Sequence, residues 1–147
     1  MQSQSRFVWA TAQGLLAIIV ACGCNSPAEE LEDVRRTSQQ EYASGLEAFA
    51  GRDYAAAEQK FSAALSRGGL HPDAYSDAKV KRAVCQGAGG KPDEALAELQ
   101  RLEAGAPNLD QIYAARSFIF KKQGKAAESR AALAKAKQYN RAVQEFK

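Results

Sequence analysis

The chain has 147 residues, room for one small domain. Charged residues make up 25% of it and the formal net charge is +3, so a strongly acidic or strongly basic chain is excluded and the balance is that of an ordinary soluble domain.

Residues 1–21 read apart from that domain. Arg6 is the only charged side chain before Glu29, and the run from Phe7 to Ala21 is mostly apolar, carried by Trp9, Leu15, Leu16, Ile18, Ile19 and Val20. A positive start, a short apolar core and small residues after it form a secretory signal. The run is shorter than the roughly 20 apolar residues of a membrane span, and Thr11 and Gln13 interrupt it.

The end of this run, Ile19-Val20-Ala21-Cys22, resembles the lipobox of bacterial lipoproteins. The resemblance implies cleavage before Cys22, diacylglycerol on its thiol, and palmitate-type acyl chains holding the protein on the extracytoplasmic side of an envelope membrane. Two or more acyl chains anchor stably where one does not. Cys24 is the fallback, with Ala21 rather than an aliphatic residue three positions before it. No Asp follows Cys22, which by the same resemblance leans towards the outer membrane. An uncleaved anchor and an ordinary secretory signal are the competing readings.

After Cys22, residues 22–28 read as a lipidated cysteine and a short tether, small and polar and containing Pro27. Residues 29–147 form the domain, and its composition, rich in Ala, Glu, Lys, Gln, Arg and Leu, is helical. No stretch alternates with period two, so no sheet is expected. Breakers divide the domain into six helices. The first runs from near Glu29 to Gly51. Asp53 caps the second, which carries Ala57, Phe61, Ala64 and Leu65 on one stripe and stops at Gly68-Gly69. Pro72 starts the third, which ends at Gly89-Gly90; Pro92 opens the fourth, closed by Gly105 and Pro107. Asn108 caps the fifth, which runs to Gly124. The sixth begins near Lys125, with Leu133, Ala136, Tyr139 and Val143 on one stripe, and either bends near Asn140 or runs on to Phe146.

One spacing recurs through these helices. Gly45, Ala83 and Ser117 are each followed twelve positions later by a small residue (Ala57, Ala95, Ser129). Four further on comes a large apolar one (Phe61, Leu99, Leu133), and three after that Ala64, Leu102 or Ala136. The small residues let the two helices of a pair approach closely. A period near 34 built from helix pairs belongs to a helical repeat array.

These residues resemble the tetratricopeptide repeat over about residues 38–143, with copies near 38–71, 76–109 and 110–143. Copy one is clearest, with Gly45, Asp53-Tyr54, Ala57, Phe61 and Ala64-Leu65. Copy two keeps Gly90, Ala95 and Pro107 but has Pro92 where the motif prefers an aromatic. Copy three has Ser129 for the usual Ala. The motif's early large residues are replaced by Glu41, Ser44, Lys79 and Arg82, and four extra residues fall near Leu70 to Asp73. The expected fold is all-α, a short TPR-like solenoid of about three antiparallel helix pairs.

In this family the first helices of the pairs line a groove that holds a peptide or a partner's helix. The resemblance places Tyr42, Leu46 and Phe49 there from copy one, Val80 and Val84 from copy two, and Phe118, Lys121 and Lys122 from copy three; Gln39, Asp77, Gly87, Gln111 and Ala114 fall on the same projection. Leu46, Val84 and Phe118 stand where the family's carboxylate-gripping sites need Asn, so that specificity is not implied. A filled core is the competing reading of these positions.

Chemistry is thinly supplied. His71 is the single histidine, with no paired Cys or acidic ligands, which makes a poor metal site. No GxSxG, HExxH or Walker A pattern occurs, so no catalytic residue, metal or cofactor is expected and the chain reads as a non-enzyme. Residues 86–90 are glycine-rich after a helix, which reads as a helix stop. Cys85 reads as a small buried apolar side chain. Charge is uneven: residues 22–115 hold 10 basic and 15 acidic side chains, and residues 116–147 hold 9 and 2. Arg130, Lys137 and Arg141 form an expected basic face on the last helix, available to anionic lipid, an acidic partner or wall polymer. The same face can simply be solvated, and nucleic acid is not an expected partner of an exported chain.

Together these readings imply a lipid-anchored, non-catalytic protein-binding or adaptor module of the bacterial envelope. Its partner is an unidentified protein or peptide segment. The alternatives are a pilotin-like or secretion-assembly helper with one client, a non-catalytic subunit of an enzyme, or a structural envelope protein touching lipid or wall through its basic end.

Overall fold

Six helices and no strand make up residues 26–147, the part of the chain that the computed structural model describes. Residues 1–21, expected to be a signal segment, and Cys22 and Cys24 lie outside the described residues. No helix among the described residues is long and apolar enough to cross a membrane.

Helix α1 (Pro27–Ala50) begins earlier than Glu29 and takes in the proline assigned to the tether. The reason is local. Ser26 Oγ accepts from the Glu29 amide at 3.3 Å and the Glu29 carboxylate accepts from the Ser26 amide at 2.7 Å. This reciprocal cap leaves Pro27 at the first helical position, where no amide hydrogen is needed. Helix α2 (Tyr54–Arg67) starts on Asp53, whose carboxylate accepts from the Ala56 amide at 3.0 Å. It stops at Gly68, which turns left-handed with φ 76°.

Helices α3 (Pro72–Ala88) and α4 (Pro92–Glu103) each open on proline followed by aspartate, which suits the positive end of the helix dipole. Helix α5 (Leu109–Lys122) follows Asn108, but the Asn108 side chain makes no capping bond. Helix α6 (Ala126–Tyr139) ends at Asn140, whose backbone is extended, with φ −147° and ψ 108°. Arg141 therefore lies beyond the helix and shares no helical face with Arg130 and Lys137. Asn140 Nδ2 donates to Asp110 Oδ2 at 2.9 Å, and its own Oδ1 accepts from the Ala142 amide at 3.0 Å. The side chain thus offers the backbone an alternative to another helical turn.

Short connections make consecutive helices antiparallel, and they pack in pairs: α1 with α2, α3 with α4, α5 with α6. Helix α3 also packs on α2 and α5, α5 on α4, and α1 touches α3. The result is an all-α, short helical-repeat solenoid in which α1, α3 and α5 are neighbours.

The twelve-residue spacing marks where the helices of each pair meet. Gly45 faces the Phe61 ring so closely that a Cβ would sit 2.7 Å from Cε1. Ala57, Ala83 and Ala95 are wholly buried. In the third pair, Ser129 Oγ donates to the Ser117 carbonyl at 2.9 Å, and the two hydroxyls are 3.1 Å apart. The central core joins Val80, Ala83 and Val84 of α3 to Leu99 of α4 and to Ile112, Phe118 and Ile119 of α5. A part-buried ion pair, Arg82 with Glu98, ties α3 to α4.

Candidate interaction groove

A chain of aromatic side chains runs from α1 through α2 to α5. Tyr42 and Phe49 of α1 both approach Phe61, at centroid separations of 6.1 and 6.3 Å. Phe49 meets Tyr54 edge-on at 5.7 Å, and Tyr54 reaches Phe118 of α5 at 6.3 Å. Edge-to-face and tilted pairs at these separations are favourable beyond the area they bury. Helical spacing accounts for the α1 part: Tyr42, Leu46 and Phe49 fall on one stripe, all half-buried, with their other side against α2.

Polar groups edge the aromatic row. Tyr42 Oη donates to Asp77 Oδ2 at 2.5 Å, and Lys81, one turn on, pairs with the same carboxylate. Burial, and then the Asp77 carboxylate, hold the Tyr42 phenol well above the ordinary tyrosine range, so it stays a neutral donor. Lys122 lies over the Phe118 ring at 5.4 Å, while Lys121 and Lys122 keep their charge in solvent.

The residues expected to line the groove divide by exposure. Tyr42, Leu46, Phe49, Lys121 and Lys122 keep accessible surface. Val80 and Val84 have none, and Phe118 is 4% exposed. The two valines are core residues that offer no surface to a partner: they share a cluster with Leu99 of α4 and Ile112, Phe118 and Ile119 of α5, and Phe49, Tyr54 and Phe146 pack against that cluster. Gly87 is also shut in, with Ile119 Cγ1 2.6 Å from where its Cβ would be.

The segment after α6 closes one end of this face. Phe146 meets Phe49 edge-on at 6.0 Å, and Tyr54 Oη donates to the Lys147 main-chain oxygen at 2.7 Å. Val143 and Phe146 also pack on Tyr113, Ala114 and Ala136. A cleft of about 670 Å³ lies between the segment and the walls formed by Phe49, Tyr54, Lys81, Asp110 and Gln111. Tyr54, Asp110, Val143 and Phe146 were not part of the expected groove. Tyr54 carried a signal, standing beside Asp53 in the repeat motif. Phe146 carried none, because its contacts are all remote in sequence.

The basic side chains near the C-terminus are dispersed. Arg130 and Lys137 are exposed on α6, and Lys137 lies 3.7 Å from Glu145. Among the described residues, no group of three or more His, Cys, Asp or Glu side chains could hold a metal ion. Cys85 is 1% exposed beside Ala57, Phe61 and Ala78, and burial, then the nearby Glu58 charge, push its thiol up to about 12.

No protein-family model, curated protein or solved structure matches the chain.

Proposed function

We propose that this chain is a non-catalytic protein-binding module of the tetratricopeptide type, held on a bacterial envelope membrane by a lipid on Cys22. The observation that carries the binding part is the partly exposed aromatic row Tyr42–Phe49–Tyr54, with a cleft of about 670 Å³ beside it. Phe49 and Tyr54, partly exposed, line that cleft and supply apolar area at low rotamer cost, and Tyr42, Asp77 and Lys81 form a polar cluster at the end of the row. An extended or helical segment of a client protein fits that chemistry. The anchoring part rests on the lipobox resemblance at Ile19-Val20-Ala21-Cys22.

Affinity capture with the intact chain and with Leu46→Asp/Phe49→Asp tests the groove. The variant is expected to lose its partners while keeping its helical circular dichroism. An unchanged set of partners in a folded variant removes the groove from the function. Metabolic labelling with a fatty acid tests the anchor: the label is expected to disappear in Cys22→Ala, and persistent labelling moves the site or ends the claim.

A further inference from the structure

The segment after α6 has the features of a bound peptide. Of residues Asn140–Lys147, only Val143 and Phe146 are half-buried; Arg141, Ala142, Gln144, Glu145 and Lys147 are exposed. An aliphatic anchor and an aromatic anchor three positions later carry the contact, and the side chains around them face water. Phe146 sits against Phe49 of the first helix pair, while Val143 and Phe146 together sit against Tyr113 and Ala114 of the third. Eight residues thereby span the same face that the aromatic row occupies.

The attachment is light. Two side-chain hydrogen bonds hold the segment to the rest of the fold, Asn140 to Asp110 at its start and Tyr54 to the Lys147 main-chain oxygen at its end. The Lys137–Glu145 pair, at 3.7 Å with both side chains about half exposed, adds little. The cleft beside the segment is not filled by it. A segment tethered in this way meets its site at an effective concentration on the order of millimolar, so weak contacts keep it docked and a moderately tighter ligand displaces it.

We propose that Asn140–Lys147 is an intramolecular ligand of the groove, and that it occupies the place of a client segment of the same chemistry: a non-helical peptide with an aliphatic residue followed, three positions on, by phenylalanine. The proposal rests on the groove reading above and adds to it the client's pattern and a competitor within the chain. A client must displace the segment, so its apparent affinity is its intrinsic affinity multiplied by the fraction of molecules in which the groove is open. Loss of Phe146 opens the groove without altering its walls at Phe49, Tyr54 and Asp110.

Fluorescence anisotropy with a labelled peptide of residues 139–147, titrated with the full chain, tests this. Phe146→Ala is expected to bind the peptide about tenfold or more tightly than wild type. Val143→Ala is expected to show a smaller gain in the same direction. The same peptide with its phenylalanine replaced by alanine is expected not to bind, and Phe146→Ala combined with Phe49→Asp is expected to lose the gain. Equal binding by wild type and Phe146→Ala overturns the proposal, as does binding that ignores the peptide's phenylalanine. Unfolding of Phe146→Ala by circular dichroism overturns it too, because a displaceable ligand is not what holds the fold. Dimers of wild type that dissociate in Phe146→Ala would make the segment an exchange arm between copies and equally end the proposal. The groove reading fails separately: peptide binding can follow this pattern while client capture ignores Leu46 and Phe49, and the reverse outcome is equally distinguishable.

Discussion

Phe61 occupies the space that a side chain at Gly45 would need: a Cβ there would lie 2.7 and 2.8 Å from two carbons of its ring. Phe61 is wholly buried between α1 and α2 and also supports Tyr42 and Phe49 of the aromatic row. The ring cannot retreat without moving the groove. Gly45→Ala gains about 1 kcal/mol of helix propensity at most, against about 1–3 kcal/mol for overpacking. A net loss of stability is therefore expected, read as a lower urea midpoint at unchanged slope. Gly105→Ala is the control: no atom lies within 4 Å of its Cβ position, and no shift beyond a few tenths of a kcal/mol is expected.

The third helix pair solves the same close approach with a pair of hydroxyls. Ser129 Oγ donates to the Ser117 carbonyl at 2.9 Å and lies 3.1 Å from Ser117 Oγ, with both residues buried. Ala83 and Ala95 stand at the equivalent places in the second pair. Ser129→Ala leaves the Ser117 hydroxyl without that partner and is expected to cost about 1 kcal/mol. The double variant Ser117→Ala/Ser129→Ala removes both groups, restores the pattern of the second pair, and is expected to cost less than the sum of the single changes. A double-mutant cycle in urea measures that coupling; strict additivity would show that the two hydroxyls do not act together.

Helix boundaries were legible because their causes are local. Pro72, Pro92 and the Gly68 and Gly89-Gly90 stops act within a few residues of themselves, and the helices begin and end there. The twelve-residue spacing was legible because small residues at a helix crossing repeat with the pair. The fate of the chain after Tyr139 was not legible. Residues 140–147 fit a bent or a continued helix equally well by propensity, and Asp110, Phe49 and Tyr54 decide the matter from afar, the last across 93 residues. The groove was legible only in part for a related reason. A stripe of apolar residues on α3 looks the same whether it faces a groove or a core, and the packing of α4 and α5 puts Val80 and Val84 in the core.

Cys85 links burial to pH. Its thiol is pushed from 9.0 up to about 12, first by burial and then by the Glu58 charge. Between those values the unfolded chain loses the proton and the folded chain keeps it, so folding stability falls as pH rises through this window. Below about 9 the contribution is fully present. Cys85→Ala is expected to flatten the decline of the urea midpoint as pH rises from 9.0 towards about 12. The thiol is also expected to react with a soluble disulfide reagent only through unfolding, so that at any fixed reagent concentration its rate rises steeply with low urea as the open population grows. A rate in water equal to that of the urea-unfolded chain would place the thiol at the surface.

Two residues with the same sequence role differ in what they do, and that difference is testable. Asp53 and Asn108 both precede a helix and both suit its N-terminus. Asp53 accepts from the Ala56 amide at 3.0 Å, whereas Asn108 makes no capping bond and its buried Oδ1 has no hydrogen-bond partner. Removing a cap that is in use costs about 1 kcal/mol. Removing a buried acceptor that is unpaired relieves a desolvation cost and leaves no partner unmatched. Asp53→Ala is therefore expected to lower stability by about 1 kcal/mol, and Asn108→Ala to be neutral or slightly stabilising, both read from urea midpoints. Asp53 also starts the helix that carries Tyr54 and Phe61. Its loss is expected to weaken peptide binding by the Phe146→Ala chain, whereas Asn108→Ala is expected to leave that binding unchanged. Equal destabilisation by the two alanines would mean that Asn108 caps α5 in solution after all.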